Sequence, residues 1–283
     1  MTFILTILSR LPLHVLYRLG SFCYWIFYLS NYRSKVVMKN LEIAFPDFSL
    51  KQRLEIRNKF YKYFFDMLAE NIKDFDENWR AHSTHISIEN KEIFEELYKK
   101  NKKVVIMLGH HGNFEWLSVI PNFIPQNIYV VYNEIKNKSF EKLIIKKRTK
   151  YNLKLFPMKD TYNFIESNND PTAAYGFISD QSPHEGRIHH RSKFFAENTP
   201  THVGAEKIAK IYDMAVVYLE CRRQKKGKYI YSAHLITENP RDYENYKISD
   251  LYNQLLEASI RKQPELYLWT HKRWKHLQPG IYQ

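Results

Sequence analysis

Residues 102–116 read KKVVIMLGHHGNFEW, and the fold turns on how that stretch divides. The run from Val104 to Leu108 is short and wholly apolar, the pattern of a strand buried on both faces of a sheet. Gly109 and Gly112 follow, residues that reach the backbone angles a tight turn needs. Phe114 to Ile120 then reads as the start of a helix, with Asn113 as its N-cap and Pro121 just beyond its end. Strand, turn and helix in that order is the unit of a parallel α/β sheet, in which ligand chemistry gathers at strand ends.

Working outward, the same alternation continues. NIYVVY (127–132), LKLFPM (153–158) and TAAYGFIS (172–179) are further strands, separated by the helical segments 137–151 and 161–168. MAVVYLECRRQ and KYIYSAHLI flank a Lys-Lys-Gly turn and read as a hairpin. The chain closes on a helix, a break at Pro264 and a second short helix. Upstream the period is helical: Val36, Val37, Asn40, Leu41 and Ala44 share a face before Pro46, and Ser49 is placed to cap the next helix. The expected fold is α/β, a mostly parallel central sheet flanked by helices. Residues 1–75 form an N-terminal helical, membrane-interface segment and 76–283 one continuous α/β unit. No internal repeat or low-complexity tract interrupts it.

The first 35 residues are strongly apolar, but Arg10 and Arg18 break them. The longest uncharged stretch, Leu19–Tyr32, is too short for a spanning helix, which needs about 20 apolar residues. No small-residue cleavage site follows, which argues against a removable signal peptide. Phe22, Tyr24, Trp25, Phe27 and Tyr28 with flanking basic residues suit a segment lying in the headgroup region, or else a buried helix. A net charge of +13 favours polyanionic partners: nucleic acid, anionic membrane, phosphorylated substrate or an acidic carrier protein. The basic residues are dispersed and no nucleic-acid recognition motif appears, so nucleic acid is not expected. Cys23 and Cys221 offer neither a metal spacing nor a disulfide framework.

The chemistry concentrates at GHHGNFEW. Five residues along one helix rotate through about 500°, so His110 and Glu115 would diverge on a continuous helix. With His110 on the turn, the chain can fold back and bring imidazole to carboxylate, fixing the tautomer and freeing the other nitrogen as a base. His111 with Glu115 would require Gly112 and Asn113 inside a helix, where both are poor. The segment DQSPHEGRIHH adds Asp180, His184, His189 and His190, but the zinc-protease pattern of two histidines around a glutamate is absent. No metal is therefore assigned.

GHHGNFEW resembles the H-x-x-x-x-D/E block of the glycerolipid acyltransferase superfamily, and more narrowly of the bacterial lipid A biosynthesis (lauroyl/myristoyl) acyltransferases. YRSKVVMKNLEIAFPDFS, FISDQSPHEGRIHHRSKFFAENTPTHVGAEKIAK and PELYLWTHKRWK resemble further blocks of that family in the right order, so the resemblance spans the chain. It implies transfer of a fatty acyl group from an acyl carrier protein or coenzyme A thioester to a lipid hydroxyl, with no cofactor. The acceptor would be a phosphorylated glycolipid, or an aminolipid or other glycolipid, at the cytoplasmic face of the bacterial inner membrane. Carried over, His110 is the general base and Glu115 orients it. Amides near Gly112 and Asn113 hold the oxyanion, and Arg148 clamps a phosphate. Asp180 and Gln181 line the site, and Arg191 and Lys193 bring charge beside Phe194 and Phe195. Arg273, with Trp269, His271 and Trp274, falls in the terminal block.

Overall fold

The structure is a computed structural model describing residues 2–30, 32–79, 84–278 and 280–282, with the side chains of 2, 3 and 27–30 excepted. The expected contribution of Phe27 and Tyr28 lies outside those described residues.

Among the described residues, four helices precede the first strand: α1 (Thr2–Ser9), α2 (Leu13–Ser30), α3 (Ser34–Ala44) and α4 (Leu50–Lys73). Ser49 starts α4 with a full capping box: its Oγ accepts from the Gln52 N–H, and Gln52 Oε1 accepts from the Ser49 N–H at 2.8 Å. One stripe of α4 is buried (Ile56, Phe60, Tyr63, Met67 and Glu70), a helical spacing with a carboxylate at its end. The outer side of α1 and α2 leaves Ile4, Ile7, Leu19, Phe22, Trp25 and Ile26 exposed. Among the described residues, no helix is long and apolar enough to cross a membrane.

The sheet comprises β1 (Ile86–Glu89), β2 (Val104–Leu108), β3 (Ile128–Tyr132), β4 (Lys154–Pro157), β5 (Ala174–Ile178), β8 (Ala215–Lys225) and β9 (Lys228–Thr237). A separate antiparallel pair, β6 (His190–Phe194) and β7 (Ala196–Thr201), lies between them in sequence. The order is β1-β9-β8-β2-β5-β3-β4, and only the β8–β9 hairpin is antiparallel. Strand alternation sends Val105 and Met107 into one core and Val104 and Ile106 into the other, so the central strand is buried on both faces. Helices α5 (Glu92–Lys99), α6 (Lys138–Arg148), α7 (Thr161–Ser167), α8 (Gly204–Ile211) and α9 (Lys247–Lys262) complete the α/β architecture.

Two local expectations change. The segment after Asn113 is a 3-10 helix, Trp116–Asn122, that runs through Pro121 rather than stopping before it. Proline lacks an N–H, and so short a run loses little by that. The second C-terminal helix is a single 3-10 turn, Pro264–Leu266.

Candidate active site

Strands β2 and β5 are parallel neighbours with Leu108 opposite Ile178. Two residues beyond that pair, the chain places His110 on one strand end and Asp180 on the other. Asp180 Oδ1 accepts from the His110 backbone N–H at 3.1 Å and from its Nδ1–H at 2.8 Å. Nε2 is then the imidazole's lone-pair nitrogen, with the Gln181 amide nitrogen 3.3 Å away. Asp180 is 1% exposed. Burial works against its charge, but His110 outweighs that and holds the carboxyl below its ordinary range. Burial likewise opposes an imidazolium at His110, and the adjoining carboxylate overcomes it, so the imidazole pKa is raised.

Glu115 does not make the hydrogen bond to His110 that the spacing suggested. It lies just ahead of the 3-10 helix and turns to α6, whose last turn is Lys146-Lys147-Arg148. Asn137 Oδ1 caps α6 by accepting from the Phe140 N–H at 3.1 Å, setting the register that carries those cations to the site. Lys147 donates to Glu115 Oε2 at 2.7 Å and Arg148 to Oε1 at 2.5 Å. Two cations are a stronger attraction than one neutral imidazole. Burial would raise the Glu115 pKa, but Lys147 and Arg148 bring it down to about 2. Glu115 still acts on His110 through space, adding to the rise in its pKa. Arg148 thus stands at the site with its guanidinium anchored rather than loose on a helix face.

The turn itself is fixed from outside. Gly112 has φ +78°, and a Cβ there would lie 2.1 Å from Cys221 Sγ, so glycine answers both backbone angle and space. The Gly112 N–H donates to Leu266 O at 3.0 Å, the Leu268 N–H to His110 O at 3.0 Å, and His111 bridges Tyr267. The Gly112 amide expected to hold an oxyanion is therefore engaged within the protein. His111 is buried, 3.0 Å from Gln263 O through Nε2, and burial lowers its pKa.

Glu70, absent from the sequence expectations, is central to this clamp. It is fully buried and accepts from Tyr17 at 2.9 Å, Tyr229 at 2.7 Å and Asn113 Nδ2 at 2.7 Å. An acidic residue on the apolar stripe of α4 was its signal. Asn40 on α3 donates to the carbonyls of Trp269 and His271, tying the N-terminal helices to the C-terminal segment that holds the turn.

Other expected residues serve elsewhere. Arg191 bonds the Asn198 and His276 carbonyls, and Lys193 pairs with Glu197 at the surface. Strand alternation turns both outward while Ser192 and Phe194 go in. Phe194, Trp269 and Trp274 are fully buried core, and Phe195 packs on Phe194 at 5.2 Å. Arg273 is 1% exposed, donates to Pro200 O at 2.8 Å and lies over the Phe194 ring. It is a buried charge acting on Asp180.

Beside the turn is an apolar cavity of about 100 Å³ under β2, β3 and β5, walled by Ile106, Leu108, Phe114, Val130 and Ile178, with Glu115 and Arg148 supplying charge. A parallel sheet that offers an aspartate-held histidine next to such a cavity suits an enzyme acting on an apolar group. The chain belongs to the bacterial lipid A biosynthesis acyltransferase family, whose model matches residues 1–276, and it is an acyltransferase. It is similar to the lipid A biosynthesis lauroyltransferase of Escherichia coli (strain K12), at 22% identity over 286 residues covering 98% of this chain and 91% of that protein.

Proposed function

We propose that this acyltransferase moves a fatty acyl chain from a carrier-protein or coenzyme A thioester to a hydroxyl of a lipid A precursor, with His110 as general base. The observation that carries this reading is the His110 Nδ1–H···Asp180 bond, which leaves Nε2 as the lone-pair nitrogen with the Gln181 amide 3.3 Å away, while an apolar cavity lies on the far side of Phe114. The acceptor oxygen attacks the thioester carbonyl as Nε2 takes its proton. The tetrahedral intermediate collapses, the C–S bond breaks, and the imidazolium returns the proton to the departing thiolate. Base catalysis of this kind contributes about 10²- to 10⁴-fold. Asp180 sets the tautomer and stabilises the imidazolium, while Arg148, held by Glu115, faces the developing oxyanion or an acceptor phosphate. A thioester is already activated, so the step asks for no metal.

The exposed apolar side chains of α1 and α2, with Arg10 and Arg18, rest in the headgroup layer at the cytoplasmic face of the inner membrane. The net charge of +13 attracts both phosphorylated lipid and an acidic carrier. Mass spectrometry of lipids from a strain lacking the gene tests the acceptor. Lipid A short of one acyl chain is the expected result. Unchanged lipid A with another acylated lipid missing would overturn the acceptor and leave the chemistry standing.

A further inference from the structure

Phe114 occupies a position that core packing does not explain. Its neighbours Trp116, Leu117, Val119 and Ile120 are buried, whereas Phe114 is half-buried. The backbone on either side is pinned. Tyr231 donates to Asn113 O at 2.7 Å, Asn113 Nδ2 donates to Glu70 at 2.7 Å, and the Trp116 indole donates to Glu70 O at 3.3 Å. Between these anchors the Phe114 side chain makes no hydrogen bond and is half-buried. Its ring meets the His110 imidazole edge-on, with centroids 4.8 Å apart at 77°.

An apolar cavity and a packed apolar seam meet at this ring. One is the cavity under β2, β3 and β5, whose wall includes Phe114 but not His110. The other is a closed seam between α4 and the C-terminal segment, lined by Phe60, Phe64, Met67 and Leu268, which reaches His110 but has no room for a water molecule. Among the described residues, Phe114 is the side chain common to both walls. A chain lying in the cavity must pass this ring before a carbonyl at its head can stand near Nε2. An edge-on aromatic contact is weak enough for a few buried methylenes to outweigh.

We propose that Phe114 is a specificity-determining residue of the acyl site, a movable wall between the cavity and His110 whose size sets how far a donor chain enters and where its carbonyl stops relative to His110. This rests on the acyltransferase mechanism proposed above. The full-length protein in anionic vesicles, with a lipid A precursor as acceptor, is assayed against straight-chain acyl thioesters of graded length. Wild type, Phe114→Leu, Phe114→Ala and Phe114→Trp are compared by kcat/KM.

The expected result is a displaced length preference. Ala and Leu raise the ratio of long- to short-chain kcat/KM by about tenfold or more, and Trp lowers it; one methylene discriminates by about 10-fold or more in an apolar pocket. Rates that fall equally for every chain length would overturn the proposal and leave Phe114 as a support for His110. An unchanged profile would overturn it as well. Thermal melting checks folding, and where the Ala variant is unfolded the Leu and Trp variants decide. Wild-type protein that accepts no thioester at all would overturn the underlying reading, an outcome distinct from an unshifted profile.

Discussion

At Asp180 a single carboxylate oxygen accepts both the backbone N–H and the ring N–H of His110, so one residue fixes where the imidazole stands and which nitrogen is free. Asp180→Asn removes the charge and is expected to lower kcat by about 10²- to 10⁴-fold. The His110 pKa is raised by that charge, and the proposed base catalysis requires the neutral ring. The acid limb of the pH–kcat/KM profile should therefore move to lower pH in the variant, which a pH series on both proteins checks. Glu115 is expected to behave differently. With its folded-state pKa near 2 against an ordinary 4.5, the carboxylate favours the folded state above 4.5, and this contribution is lost as pH falls toward 2. Glu115→Gln leaves Lys147, whose side chain is 2% exposed, without its counter-charge. A stability loss of about 3 kcal/mol at neutral pH is expected, with a weaker acid dependence, measured by urea unfolding across pH.

Elements, rather than single side chains, build the turn. β2 delivers His110, β5 delivers Asp180, α6 supplies the cations for Glu115, and the Pro264–Leu268 segment closes over the backbone. Gly112 is where these pressures meet. Gly112→Ala is expected to cost about 2 kcal/mol or more, because it combines a left-handed backbone with a collision at Cys221. Removing the sulfur in a Gly112→Ala/Cys221→Ala double variant should return part of that loss, the part owed to collision rather than to φ. Denaturant unfolding of both singles and the double separates the two.

Across the whole molecule, the N-terminal helices serve two directions at once. Inward, Tyr17 and Asn40 reach Glu70 and the C-terminal segment. Outward, Phe22 and Trp25 are 65% and 63% exposed. Replacing both with Ser is expected to weaken binding to anionic vesicles by about tenfold or more, from the apolar area lost. Vesicle sedimentation measures it, and added salt should weaken both proteins through the charge that remains.

Much of this was legible beforehand for local reasons. Apolar runs and their breaks placed β2, β3, β4, β5, the β8–β9 hairpin and the cap of α4, since strand burial and helix capping act over a few residues. GHHGNFEW marked the turn, and Asp180 and Gln181 were placed in the site. The pairing within it was not legible. The interval from His110 to Glu115 invites a short-range partner, but β5 is one of the two neighbours of β2 in the sheet, and strand order is set by long-range packing. Glu70, Lys147 and Leu266 reach the turn from α4, α6 and the C-terminal segment for the same reason. The sequence by itself determined the central strands, the β8–β9 hairpin and the histidine turn where the chemistry gathers. Only the tertiary structure decided which carboxylate holds the histidine, because a hydrogen bond depends on distance in space and the sequence records distance along the chain.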